Sequence, residues 1–255
     1  MSKSFDNRIE KINAMLLSHG EVKVNELALQ MNVSKETIRK DLEFLESQNV
    51  LQRTHGGAIL KNRNIISPFD IRRKEKSEIK RRLCLTALSY INNDDSIFID
   101  PSSTASYLVR LLNLRKNITV TTNSLSIVEE AINSNAKTFF VGGIIDKRAK
   151  RSSGSYALKM IDTMSFNIAF FGADGVLIGG GVGTHDEDEI IFSNTVAKRS
   201  AKKVLLLDSS KFYTISRFKV ANFSDFDIII TDHVPENFDI GDNIKELIEV
   251  DDMDI

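Results

Sequence analysis

Cysteine is almost absent from this chain: Cys84 stands alone, so no internal disulfide can form, and the composition suits a reducing compartment. Between Leu83 and Leu85 in a helical stretch, it reads as a packing residue and not as a reactive thiol. Histidine is also sparse, at four residues, and no set of His, Cys and carboxylates falls at metal-ligand spacing. No metal or other cofactor is therefore expected. No stretch of about 18 apolar residues occurs, and the N-terminus lacks the apolar run of a secretion signal. That excludes a helical membrane span and predicts a soluble, cytoplasmic protein. There is no internal repeat and no low-complexity segment.

What is present is length and an uneven distribution of charge. A chain of 255 residues is long enough for two domains, one of them with a substantial core. The net charge is −1, yet residues 1–82 carry 17 Lys+Arg against 11 Asp+Glu, and residues 83–255 carry 17 against 24. The basic part is the one suited to a polyanion.

Within that basic part, Asn32 to Leu60 organises the rest. Ser34 can cap a helix start, and Ile38, Leu42 and Leu45 follow at the spacing that stacks them on one buried face. Glu36 and Lys40 then point the opposite way, with Lys35, Thr37 and Arg39 on the flanks, a hydrogen-bonding surface able to read base edges. Upstream, Phe5, Ile9, Ile12 and Leu16 form one amphipathic stripe, and Leu27, Ala28 and Met31 a shorter one before a break at Asn32-Val33. Three helices with a tight turn before the third suit a helix-turn-helix. Val50 to Gln52, a turn at Gly56-Gly57 and Ala58 to Leu60 predict a hairpin wing with Arg53 and His55 near its tip. A three-helix scaffold with merely solvated charges is the plain alternative.

The run V-S-K-E-T-I-R-K-D-L-E-F-L-E followed by R-T-H-G-G-A resembles the N-terminal signature of the DeoR family of bacterial transcriptional regulators. The resemblance implies a winged helix-turn-helix over residues 1–60 that binds a double-stranded DNA operator. Ser34, Lys35, Thr37, Arg39, Lys40, Arg53 and His55 match its DNA-facing positions.

Residues 61–82 read as a linker and the start of a connecting helix. Ser67-Pro68 predicts an extended joint. A charged helix is expected from about Ile71, with Ile79, Leu83 and Ala87 as its apolar face and Lys80, Arg81 and Arg82 on a solvated one. A second DNA contact is the competing reading of that run. Residues 83–255 then alternate. Strands are predicted at Ser96–Asp100, Ile118–Thr121, Lys137–Val141, Asn167–Gly172, Lys203–Asp208 and Asp227–Thr231. Helices are predicted at Ala105–Leu114, Leu125–Asn133, Asp188–Ala201 and Asn243–Ile248. Short β-branched runs between helices predict an α/β domain with a largely parallel sheet covered on both faces.

In such sheets ligands collect beyond the C-terminal strand ends. Those ends read Asp100-Pro101-Ser102-Ser103-Thr104, Thr121-Thr122-Asn123-Ser124, Gly142-Gly143, Gly172-Ala173-Asp174-Gly175 and Asp208-Ser209-Ser210-Lys211. Hydroxyls and free N–H groups before a helix can cradle phosphate, although Ser102 or Ser103 could equally be a plain helix cap. Asp100 and Asp174 could accept from sugar hydroxyls, and Lys211 could pair with phosphate. Thr184 and Glu189 fall where they can line the same cleft. Gly179-Gly180-Gly181 precedes no immediate helix, fails the dinucleotide-binding context and reads as a turn.

These segments occur in the order of the C-terminal sensor domain of DeoR-type regulators. The resemblance implies an effector-binding α/β domain related in fold to ribose-5-phosphate isomerase and responsive to a phosphorylated sugar. It carries ligand contact to Asp100, Ser102, Ser103, Thr104, Thr122, Asn123, Gly142, Gly143, Asp174, Gly175, Thr184, Glu189 and Lys211. Family members commonly carry glycine and threonine after the first-strand aspartate, whereas Pro101 here removes one N–H donor. An isomerase-like enzyme is the main rival, with Asp174 and Glu189 imitating a catalytic pair. Ile178 stands where the related isomerases show a lysine, which argues against turnover. An assembly-only second domain is a third reading. The expected protein is a repressor of a carbohydrate operon, acting as a homo-oligomer (dimer or tetramer).

Overall fold

Apolar residues at helical spacing build one compact unit, Met1–Glu75, and β-branched runs build a second, Lys76–Ile255. The computed structural model describes residues 3–19, 21–47, 50–60, 69–147, 149–177 and 180–250. The Ser67-Pro68 joint, Ile178 and the terminal Asp251–Ile255 segment lie outside the described residues.

The first unit runs α1 (Lys3–His19), β1 (Glu21–Lys23), α2 (Val24–Gln30), α3 (Lys35–Ser47), β2 (Leu51–Thr54), β3 (Gly57–Leu60) and α4 (Phe69–Lys74). Ile9, Ile12 and Leu16 of α1 meet Leu27 and Ala28 of α2 and Ile38, Leu42 and Leu45 of α3 in one buried cluster. The α2–α3 turn passes through Asn32 at φ +50°, a left-handed position that asparagine tolerates better than most residues. Arg8 grips the buried carboxylate of Asp41 with two contacts, at 2.7 and 3.1 Å, and so ties α1 to α3.

The hairpin β2–β3 turns at His55-Gly56, where Gly56 takes φ +98°. Sequence reading missed its third strand: β1 pairs antiparallel to β3, too short to show an alternating pattern. At Gly57 a Cβ would stand 2.1 Å from the Val22 carbonyl oxygen, so this close approach of β1 requires glycine.

The second unit contains α5 (Ser77–Leu88), β4 (Ser96–Ile99), α6 (Leu108–Leu111) between two 3-10 turns, β5 (Thr119–Thr122), α7 (Leu125–Ala131), β6 (Lys137–Phe140), β7 (Ile144–Asp146) and β8 (Arg151–Ser153). There follow α8 (Ser155–Asp162), β9 (Phe166–Phe171), β10 (Gly175–Val176), β11 (Val182–Thr184), α9 (Glu187–Lys198), β12 (Ser200–Leu206), β13 (Phe218–Ala221), β14 (Ile228–Thr231) and β15 (Leu247–Glu249). Among the described residues, a seven-stranded sheet has the order β15-β14-β12-β9-β4-β5-β6, with every adjacent pair parallel. Period-two alternation sends Ile97, Ile99, Val204, Leu206, Ile228 and Ile230 to the layer of α5, α6 and α7. Phe98, Leu205 and Ile229 face the opposite layer, with α8 and α9. Burial on both faces is why these strands read as continuous apolar runs.

Three expectations change. The charged helix is two helices, α4 and α5, separated at Lys76, whose φ of +51° no continuous helix accommodates. Lys80 is not on a solvated face: it is 2% exposed and hydrogen-bonded to Ser103, because its face of α5 packs against the second unit's interior. The helix expected at Asn243–Ile248 is strand β15, since pairing beside β14 satisfies its backbone where a short isolated helix would leave most groups open. As expected of Cys84, the side chain is fully buried, and burial pushes its thiol pKa up, which keeps it protonated and inert.

Truncating Leu42, fully buried between α1, α2 and α3, should cost the first unit about 2–5 kcal/mol. Hydrogen exchange should show α3 amides losing protection in Leu42→Ala while the amides of β4, β9 and β12 keep theirs.

Candidate functional site

The first unit presents its polar surface on α3 and the hairpin. Ser34 precedes α3, and its Oγ accepts from the Thr37 N–H at 3.1 Å and lies 2.9 Å from the Thr37 hydroxyl, the capping geometry that starts the helix. Ile38, Leu42 and Leu45 face inward, which leaves Lys35, Glu36, Arg39 and Lys40 exposed and Thr37 half-buried. Arg39 lies 3.4 Å from Glu36, an exposed pair that a phosphate or base can outcompete. Arg53 is steered by Glu43 at 2.7 Å, and its backbone N–H donates to Glu46, so the wing is fastened to the end of α3. His55 is exposed at the hairpin turn.

In the second unit the strand order reverses between β4 and β9, the switch point beyond whose C-terminal ends ligands collect in such sheets. Asp100 follows β4 directly and is 4% exposed; its carboxylate accepts from the Gly172 N–H, just after β9, at 3.2 Å. A Cβ on Gly172 would fall 2.1 Å from Ser102 Cβ, so glycine is needed for the two segments to meet. Burial, then repulsion from Glu189, drives the Asp100 pKa up to about 8, well above the usual carboxylate range.

The loop after β4 is held from below by a residue that sequence reading had placed in water. Lys80 reaches Ser103 Oγ at 3.2 Å, beneath the turn that Ser102 caps by accepting from the Ala105 N–H. Thr104 is buried, and its carbonyl accepts from the Cys84 thiol. Beyond β12, burial acts to raise the Asp208 pKa, but Lys211, a Ser210 hydrogen bond, Lys80 and Lys76 outweigh it and hold the carboxyl below its usual range. Lys211 thus belongs to a cationic group around one buried carboxylate, and Lys80 joins that group to the Ser103 loop.

On the other wall, the Thr184 hydroxyl lies 2.7 Å from Glu189 and 3.1 Å from Asp174, and with one proton it donates to one of them at a time. Arg151 closes this wall. Its guanidinium, 9% exposed, meets Asp186 at 2.5 Å and Glu189 at 2.8 Å, and the two carboxylates hold it charged against the opposing effect of burial. Asp100, Pro101, Asn123, Arg151, Glu189 and Phe192 are among the residues lining a crevice of about 10 Å³, room for about one water. The gap is narrow and its walls are largely polar.

Of the residues expected to bind ligand, Asp100, Asn123 and Glu189 line this crevice, Ser102, Ser103 and Thr104 form the loop beside it, and Asp174 and Thr184 join through Glu189. Thr122 is buried and accepts from the Ser124 N–H. Gly143 and Gly175 have packing reasons of their own: added Cβ atoms would lie 2.3 Å from the Ser153 carbonyl oxygen and 2.1 Å from that of Thr214. Around Gly142 the space is open. Sequence reading missed Lys80 and Arg151. Each sits within a run of charges, and only the helix phase of Ile79, Leu83 and Ala87 hinted that Lys80 could point inward.

A model of the DeoR C terminal sensor domain matches residues 75–233, and one of the DeoR-like helix-turn-helix domain matches residues 8–64. The chain is 28% identical over 225 residues to the HTH-type transcriptional regulator IolR of Bacillus subtilis, covering 88% of this chain and 90% of that one. It is 30% identical over 222 residues to the HTH-type transcriptional regulator FruR of the same organism, covering 87% and 88%. Among solved structures, ribose 5-phosphate isomerase A of Methanocaldococcus jannaschii is similar at TM-score 0.40 and 17% identity, over 54% of this chain and 55% of the other. With both halves matched in order over most of its length, this chain belongs to the DeoR family of transcriptional regulators, and it is a DNA-binding regulator and not an enzyme.

Proposed function

We propose that the chain represses an operon for the use of a carbohydrate and is released from DNA by a phosphorylated sugar, bound in an arrangement in which the crevice between Asp100, Asn123 and Glu189, here wide enough for about one water, opens to admit it. The observation that carries this reading is the Ser102–Thr104 loop with Lys80 buried beneath it, next to a crevice lined by Asp100, Asn123 and Glu189. Hydroxyls and a buried cation suit a phosphate, and carboxyl and amide oxygens suit sugar hydroxyls. Relatives named for such roles include a putative aga operon transcriptional repressor and the glycerol-3-phosphate regulon repressor, both of Escherichia coli. An L-fucose operon activator of Haemophilus influenzae is also among them, so the sign of regulation is the first point to measure.

In this reading residues 1–60 bind the operator, 61–82 connect, and 83–255 hold the effector. Lys35, Thr37, Arg39 and Lys40 of α3 contact bases and phosphates of a double-stranded operator, Ser34 sets the start of that helix, and Arg53 and His55 reach the backbone from the wing. A homo-oligomer, dimer or tetramer, places recognition helices in successive grooves of cytoplasmic DNA. Signal passes through α5, because the cation beneath the effector loop is Lys80, one turn after the chain leaves the first unit. The effector shifts the equilibrium by binding one arrangement of α5 more tightly than the other.

Three outcomes test this. Titrating the full chain on its upstream DNA by fluorescence anisotropy should show affinity falling when a hexose or pentose phosphate is added, with a matching rise in melting temperature. A panel of such sugars that moves neither quantity at saturation would sink the proposal. Arg39→Ala should weaken operator binding about tenfold or more, with altered base preference if Arg39 meets a base and a uniform loss if it meets phosphate. The third outcome concerns acidity. The folded Asp100 pKa lies above the unfolded value, so its stabilising contribution is complete at low pH and is lost as pH rises from about 4 through about 8. Melting curves of Asp100→Asn should therefore decline less between about pH 5 and 8 than those of the parent, and parallel profiles would refute the shifted carboxyl.

A further inference from the structure

A recess that shares no residue with the crevice lies where β10, the segment after β12 and the loop before β15 meet. Its volume is about 560 Å³, and Phe212, Phe223, Phe238 and Ile240 line it together with Asp239 and Asp242. The three rings pack on one another at centroid separations of 4.7, 6.1 and 6.3 Å, which makes a firm floor. Phe212 and Phe223 are buried and anchor that floor in the core, whereas Asp239 and Asp242 are exposed.

Beside the hollow the chain projects apolar side chains. Ile215 lines it and is 62% exposed, and Tyr213, next to Phe212, is 76% exposed. The segment that carries them is pinned: the Val176 N–H donates to the Thr214 carbonyl and the Val176 carbonyl accepts from the Ser216 N–H, both at 2.8 Å. A projection held in place in the free chain loses little freedom when it is covered. Both signs of charge stand at the same face. A Cβ on Gly181, which lines the recess, would lie 3.5 Å from Lys219 Nζ, so the ammonium is at its edge. Among the described residues, Lys219 and Asp242 are exposed and have neither an ion pair nor a side-chain hydrogen bond. A small ligand would fill the recess and leave Tyr213 and Lys219 in water. A two-fold contact instead requires one patch to carry a projection and a hollow, a cation and an anion, because the patch must complement itself. This face carries all four.

We propose that this face is where two copies of the chain meet. Tyr213 and Ile215 of each copy seat against the other's phenylalanine floor, and Lys219 of each pairs with Asp242 of the other. This rests on the reading that the chain is a homo-oligomer, and the experiment separates the two. Sedimentation equilibrium of the full chain measures the dissociation constant of the contact, which takes a dimer to monomers or a tetramer to dimers. In Ile215→Lys that constant should rise about thirtyfold or more, with the circular dichroism spectrum unchanged because the side chain is exposed. Lys219→Glu and Asp242→Lys should each weaken association about tenfold, and the double variant should return to within about threefold of the parent. A second substitution does not cure misfolding caused by the first, so the rescue reads the contact itself, and Tyr213→Ala replaces Ile215→Lys if that variant does not fold. A parent chain that is monomeric at every concentration overturns the homo-oligomer reading and this contact with it. An oligomer whose association is unchanged in the apolar variants, as expected if a small molecule or a different protein fills the recess, overturns this contact and leaves the homo-oligomer reading intact. Charge variants that do not rescue one another do the same.

Discussion

The reversal of strand order between β4 and β9 is the constraint on which the second unit depends. From β4 the chain builds outward through β5 and β6, and from β9 it builds the other way through β12, β14 and β15. The chain leaving β4 and the chain leaving β9 turn to opposite sides of the sheet order, and the backbone at these two strand ends needs partners. The Gly172 N–H finds Asp100, and Gly172 itself is small enough to let Ser102 approach. The close meeting of these two strand ends is thus a consequence of topology before any side chain is chosen for chemistry.

Buried charge is handled by pairing. Isolated ions in a low-dielectric interior are costly, and three basic groups with little exposure each have acceptors: Arg8 has Asp41, Lys80 has Ser103 and the field of Asp208, and Arg151 has Asp186 and Glu189. Asp100 is the exception, with no cation in contact, and it responds by holding its proton to higher pH. The polar walls of the crevice are consequently not a uniform negative surface. They are an acid whose pKa is raised, an amide oxygen and a carboxylate already shared with arginine.

The division of labour follows from these two features. The first unit keeps its hydrogen-bonding side chains on the water-facing side of α3, with Arg8–Asp41 locking the helix behind them. The second unit turns polar groups inward at its strand ends, among them Asp100, Asn123 and Thr184. α5 belongs to both stories, because its buried lysine touches the Ser102–Thr104 loop and its N-terminus is where the chain arrives from the DNA-binding unit.

Period and punctuation made much of this legible. Ile38, Leu42 and Leu45 at helical spacing, Ser34 before them, and the continuous apolar runs at Ser96, Lys203 and Asp227 determine elements by local stereochemistry, and the structure contains them. Short pieces were not legible: β1 and β15 have three residues each, and their state is decided by the strands beside them. Nor was the placement of Lys80 and Arg151, because a cation enters an interior only where distant residues supply acceptors, and those acceptors lie far along the chain at Ser103, Asp186 and Glu189. The sequence by itself determined the elements, the two-part organisation and the polar strand ends, all of which depend on neighbours within a few residues. Tertiary structure alone decided which of those ends face one another, which charges are buried, and that Tyr213 and Ile215 stand outward beside a recess, since each depends on contacts that only the folded chain brings together.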